Sequence, residues 1–175
     1  MKENEILQQE YDNHGTTWTR NKFFDENGYL IVKKLYEPKE LFHKVPEVRG
    51  QLNYNSSDLN DYEHIKNESQ VEGSVSRYSH PQYRKIHTNI RLIIEKLIGR
   101  KLYNTYYYDR FYFPGQKLEK HTDRGACEIS VSVHISTNIK EDWPFWIKTP
   151  DVFSDQNKLE FVSSGKNVSV SLEAG

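Results

Sequence analysis

The feature that most constrains this 175-residue chain is a change of hydrophobic period at Gly99. Before it, in "HPQYRKIHTNIRLIIEKLIGR", Tyr83, Ile86, Ile90, Ile94 and Leu97 recur at helical spacing, with Pro81 near the start and Gly99 at the end. That pattern predicts an amphipathic helix, because residues three or four apart share one helix face. After Gly99 the runs "KLYNTYYYDRFYF", "CEISVSVHIS", "WPFWI", "KLEFV" and "NVSVSLEAG" are β-branched or aromatic and broken by turn residues. They predict an antiparallel β unit. Alternation puts Tyr106, Tyr108, Arg110 and Tyr112 on one side and Tyr103, Tyr107, Phe111 and Phe113 on the other, as in a central strand packed on both faces.

Upstream, the stretch from Ile6 to about Asn27 is polar and helix-compatible, and "FFDENGYLIVKKLY" turns at Asn27-Gly28 into a short β run. Pro38 with Lys39 and Glu40 suits a helix start. Asn53 to Gly73, rich in Asn, Ser, Asp and Glu, predicts a surface excursion. The chain thus reads as α+β, mainly β, in a single domain over 1–175. Residues 1–99 form a mostly helical flank and residues 100–175 carry the strands.

Mean hydropathy is −0.86, polar for a globular chain, but 12 Tyr, 8 Phe and 3 Trp supply large area to bury. A net charge of −1 gives no global field toward nucleic acid or an anionic membrane. "YNTYYYDRFYF" has the aromatics of a single-strand stacking platform but little basic content, so it reads as core. No apolar run approaches the ~20 residues that span a bilayer. A single cysteine, Cys127, and an N-terminus without an apolar core point to the cytoplasm, where the sequons at Asn55, Asn67 and Asn167 carry no glycan. Trp143 and Trp146 around Pro144 either line a substrate mouth or anchor a strand start. No P-loop, G-x-G-x-x-G or G-x-S-x-G is present, which argues against the common nucleotide-binding and hydrolase classes.

The candidate chemistry lies in "YFPGQKLEKHTDRG", Tyr112 to Gly125. His121 and Asp123 are two residues apart, so on an extended chain both side chains project to one side and can meet one metal ion. Spacing alone leaves a polar pair beside a turn as the alternative. A second, distant His would complete the two-His-one-carboxylate triad of non-haem Fe(II) oxygenases.

The array from Tyr112 to Asp123 resembles the "Y-x-x-G-x-x-L-x-x-H-x-D" signature of the Fe(II)/2-oxoglutarate-dependent dioxygenases, in particular the prolyl 4-hydroxylase-like branch. The alternating "CEISVSVHIS" after the motif and "FFDENGYLIVKKLY" upstream fit the same family. The resemblance implies a double-stranded β-helix, or jelly roll, with N-terminal flanking helices. It implies His121 and Asp123 as iron ligands and Tyr112 near the 2-oxoglutarate. His134 stands where family members place a tyrosine against the far carboxylate of that cosubstrate. Arg124, directly after the motif, either faces the substrate or faces solvent. Cofactors so implied are Fe(II) and 2-oxoglutarate, with ascorbate as an auxiliary reductant; the substrate would be a small molecule or a peptidyl side chain.

In that family the distal His follows a segment like "L-x-x-G-D", and a Lys or Arg further on pairs with 2-oxoglutarate. Here "NVSVSLEAG" reaches Gly175 first. The expectation is therefore a jelly roll incomplete at its C-terminus, and a 175-residue chain that is inactive or severely impaired. Of the remaining histidines, His14, His43, His64, His80 and His87 fall in the first half or the long helix, and only His134 lies on a strand run near the site. A non-catalytic jelly-roll binding module with a vestigial metal pair is the competing expectation.

Overall fold

The computed structural model describes residues 19–41, 44–55, 62–149 and 165–174. In chain order the elements are α1 (Lys22–Asn27), α2 (Pro38–Leu41), β1 (Gly50–Asn53), β2 (His64–Lys66), β3 (Val75–Tyr78), α3 (Tyr83–Ile98), β4 (Tyr108–Phe111), β5 (Phe145–Lys148) and β6 (Asn167–Val170). Helices and strands are mixed along the chain, and the strands form two sheets. Among the described residues no helix is long and apolar enough to cross a membrane. The chain divides into two units, one from the segments Met1–Glu40, Ile93–Leu102 and Val133–Gly175, the other from Leu41–Leu92 and Tyr103–Ser132.

In the first unit, α1 and the end of α3 are secured by their caps. Asn21 caps α1 by accepting from Phe24 N–H at 3.0 Å, and its amide donates to Leu97 O at 3.0 Å. Gly99 ends α3 with φ 69°, and its N–H returns to Glu95 O at 2.9 Å. A Cβ there would sit 2.4 Å from Thr19 O, so glycine is required twice over. The carboxylate of buried Glu95 accepts from Leu102 N–H at 2.8 Å, which satisfies a charge-bearing group that would otherwise be costly to bury. The helical stripe differs from expectation at this end. Leu97 is 37% exposed while Ile98 is 1% exposed, because Ile98 lies one full turn after Ile94 and the cap folds the chain back over that side. Strands β5 and β6 pair antiparallel, Phe145 with Val170 and Lys148 with Asn167, as "WPFWI" and "NVSVSLEAG" predict. The "KLEFV" run lies outside the described residues.

The second unit holds a four-stranded sheet in the order β2-β1-β3-β4. β1 runs parallel to β3, and the other two pairings are antiparallel. Leu52, Tyr54 and Val75 are buried, and Tyr62, Phe111 and Phe113 pack against them. Register puts Val75 opposite Phe111 and Arg77 opposite Asp109 on this core face, and Ser76 opposite Arg110 and Tyr78 opposite Tyr108 on the other. Three of the four strands come from residues 50–78, inside the stretch read as a mostly helical flank. These strands have three or four residues each and β2 is wholly exposed, so they carry too few apolar positions to show a period. β2 also interrupts the surface excursion expected between Asn53 and Gly73.

Two further expectations differ. β4 is an edge strand among the described residues, not a central one. "YLIV" and "CEISVSVHIS" form no strand. Alternation decides which side chains face inward, but a strand also needs a backbone partner, and no described residues supply one there.

Candidate functional site

β4 leads directly into the motif. Beyond it, Pro114 and Gly115 make a turn closed by Gln116 N–H to Phe113 O at 3.0 Å, with Gly115 at φ 83°. Proline second and a positive-φ glycine third are what a type II turn demands. Gln116 clamps this turn. Its Oε1 accepts from Phe113 N–H at 2.8 Å, and its Nε2 donates to Glu72 O at 2.7 Å. The residue that looks like filler between Gly115 and Leu118 thus fixes where the following chain departs.

That chain brings His121 and Asp123 together. His121 Nε2 lies 3.5 Å from Asp123 Oδ1, with the side chains 41% and 39% exposed. Nδ1 of His121 is 2.8 Å from Glu119 O. A carbonyl oxygen only accepts, so Nδ1 carries the proton donated there, and Nε2 is the ring atom turned toward Asp123. Asp123 Oδ2 accepts from the Ser130 hydroxyl, leaving Oδ1 toward the imidazole. Either a proton or a cation between Nε2 and Oδ1 would make this approach favourable. A backbone carbonyl behind a ligand imidazole and a hydroxyl behind a ligand carboxylate are the supports that metal ligands commonly have.

Tyr112 stands on the continuation of β4, where Arg110 Nη1 approaches its hydroxyl at 3.4 Å. Arg110 is itself buried against Glu68, with the side chains 5% exposed each and Nη2 to Oε1 at 3.2 Å. Glu68 also accepts from the Ser76 hydroxyl at 2.5 Å and from Gln70 N–H at 3.1 Å. Burial opposes the Arg110 charge, but its hydrogen bond to Tyr112 and the neighbouring Tyr108 and Glu68 hold its pKa above the ordinary value.

On the same face lies a row of tyrosines. Tyr78 and Tyr106 stack with centroids 5.6 Å apart, and Tyr106 and Tyr108 at 6.2 Å and 8° between planes. Arg110 Cζ is 5.1 Å from the Tyr108 ring and 5.8 Å from that of Tyr112. Burial raises the Tyr108 pKa, with Arg110 opposing and Tyr112, Asp123 and Glu68 adding smaller upward contributions. Arg124 lies over the Tyr106 ring, 4.4 Å from its centroid.

The structure thus gathers His121, Asp123, Arg124 and the Tyr112 face within the second unit. His134 belongs to the first unit, where its Nδ1 is 2.6 Å from Leu172 O. His64 is on β2, His80 precedes α3 and meets Tyr54 edge-to-face at 4.9 Å, and His87 on α3 lies against Tyr107 at 4.8 Å. His14 and His43 lie outside the described residues. Among the described residues no group of three His, Cys, Asp or Glu side chains gathers at one point. The sequence reading missed Gln116, Ser130, Glu68 and Tyr78. Parity along β4 did mark Tyr106, Tyr108, Arg110 and Tyr112 as one face, but Tyr78 joins them only through the β3–β4 register. Comparison of the chain with protein-family models, with curated proteins and with solved structures gives no match.

Proposed function

We propose that this protein is an Fe(II)- and 2-oxoglutarate-dependent dioxygenase, similar to the prolyl 4-hydroxylase-like enzymes, that hydroxylates a C–H bond of a peptidyl side chain or small molecule on a jelly-roll scaffold. One observation carries the reading. His121 Nε2 and Asp123 Oδ1 face each other at 3.5 Å while Glu119 O holds the opposite ring nitrogen. That donor set, one imidazole and one carboxylate, suits a ferrous ion. When bound, iron with 2-oxoglutarate and O₂ supplies oxidative decarboxylation to succinate and CO₂ coupled to hydroxylation.

The chain's own contributions follow from its contacts. His121 offers Nε2, its ring held from behind by the Glu119 carbonyl. Asp123 offers one oxygen, the other being held by Ser130. Tyr112, steadied by the Arg110–Glu68 pair, presents a hydroxyl to the cosubstrate. The tyrosine row supplies an apolar wall that limits water.

Incubation of the protein with Fe(II), ascorbate and 2-oxoglutarate, with succinate measured, tests this against His121→Ala. For the 175-residue chain, succinate at no more than a severely reduced level is expected, with none above background in the variant. Anaerobic Fe(II) titration should likewise show saturable binding that weakens in both His121→Ala and Asp123→Ala. Equal succinate and equal metal binding in all three proteins would leave the chain a non-catalytic jelly-roll module.

A further inference from the structure

We infer that the substrate carries an anionic group, carboxylate or phosphate, and that Arg124 is the residue that receives it. The inference rests on the dioxygenase reading for the reaction, but the binding it describes needs no metal.

Arg77, Arg110, Arg20 and Arg100 each meet a carboxylate. Arg124 meets none among the described residues, and it is exposed immediately after Asp123. An unneutralised arginine is ordinary on a surface when it is also unrestrained. This one is held. Its carbonyl accepts from Cys127 N–H at 2.8 Å, closing a turn over Gly125 and Ala126. Its guanidinium lies over the Tyr106 ring, 4.4 Å from the centroid, so the side chain is held against one tyrosine. Tyr106 is in turn stacked between Tyr78 and Tyr108. A planar, permanently charged fork fixed in this way is preorganised for a carboxylate or phosphate, so little freedom is lost on binding.

The placement also fits the reaction. Tyr108 is 38% exposed and feels the charge of Asp123, while Tyr106 carries Arg124. A substrate lying along these two rings has its anion at one end of the row and its reacting carbon toward the His-Asp pair.

The test is an NMR titration of iron-free protein, following arginine Nε–H signals and the amides of residues 121–127. The probes are N-acetylglycine, its neutral amide N-acetylglycinamide, and inorganic phosphate. The carboxylate should bind roughly tenfold tighter than the amide, the ratio a charge-assisted hydrogen bond supplies. This preference should vanish in Arg124→Gln, persist in part in Arg124→Lys and survive in His121→Ala. Phosphate outcompeting N-acetylglycine assigns a phosphorylated substrate, and the reverse order a carboxylate. Equal binding of acid and amide, or a preference that persists in Arg124→Gln, overturns the inference. Saturable Fe(II) binding that depends on His121 and Asp123, without Arg124-dependent anion binding, sinks this proposal alone; Arg124-dependent anion binding with Fe(II) binding unaltered in His121→Ala and Asp123→Ala sinks the dioxygenase reading alone.

Discussion

Consecutive residues of β4, Asp109 and Arg110, belong to two arginine–carboxylate pairs on opposite faces of one sheet. On the core face, Arg77 meets Asp109 with side chains 4% and 8% exposed. Its Nε reaches Asp109 Oδ1 at 3.0 Å and its Nη1 reaches Lys44 O at 3.3 Å. The Tyr83 hydroxyl donates to Leu41 O at 2.7 Å and lies 3.1 Å from Asp109 Oδ2, and burial with the nearby Asp109 charge drives its pKa far up. On the other face, opposite Ser76, Arg110 meets Glu68 at similar burial, yet its Nε has no hydrogen-bond partner among the described residues. The core pair is enclosed by backbone and phenol. The outer pair is bounded by tyrosines that border the His-Asp motif. Equal burial therefore does not mean equal purpose: one pair ties strands to the helix, and the other stiffens a face of tyrosines.

Stability measurements can break this contrast. Arg77→Met strands the Asp109 charge and should cost about 3–5 kcal/mol in urea unfolding, most of it recovered by pairing the change with Asp109→Leu. Arg110→Met should cost less, about 1–3 kcal/mol, because Glu68 keeps the Ser76 hydroxyl and Gln70 N–H. A larger loss at Arg110 than at Arg77 would reverse the assignment of roles.

The exposed triad of Arg20, Asp25 and Arg100 supplies the lower limit. Hydrogen bonds from Arg20 and then Arg100 lower the Asp25 pKa from 3.8 to about 2. On acidification the unfolded chain takes up this proton first, so the triad's stabilisation is present above the ordinary value and is lost as pH falls through about 2. Asp25→Asn should change stability least of the three at neutral pH and should flatten the acid limb between these values. High salt should shrink its effect while leaving the two buried pairs nearly unchanged. An unaltered acid limb in the variant would remove Asp25 from this comparison.

Much of the local structure was legible in the chain. Pro81 and Gly99 bracket α3 because both act on their own backbone torsions, and "WPFWI" and "NVSVSLEAG" contain β5 and β6 because aromatic and β-branched residues favour extended chain. His121 and Asp123 were legible as a pair because their separation is two residues. "CEISVSVHIS" had the right period and no strand formed, since period carries no information about a partner. β1 to β3 were hidden for the opposite reason: they are too short to show a period but pair with one another.

The sequence by itself determined the cap residues, the face on which each β4 side chain stands and the juxtaposition of an imidazole with a carboxylate. These are consequences of torsions and spacings within a few residues. Only the tertiary structure decided that Tyr78 stacks on Tyr106, that Glu68 lies under Arg110 and that Arg77 closes on Asp109, because folding joins residues far apart in the chain. Whether a side chain ends as strut, wall or ligand depends on those distant partners, and the energy of such contacts resides in the pairing, which neither residue states alone.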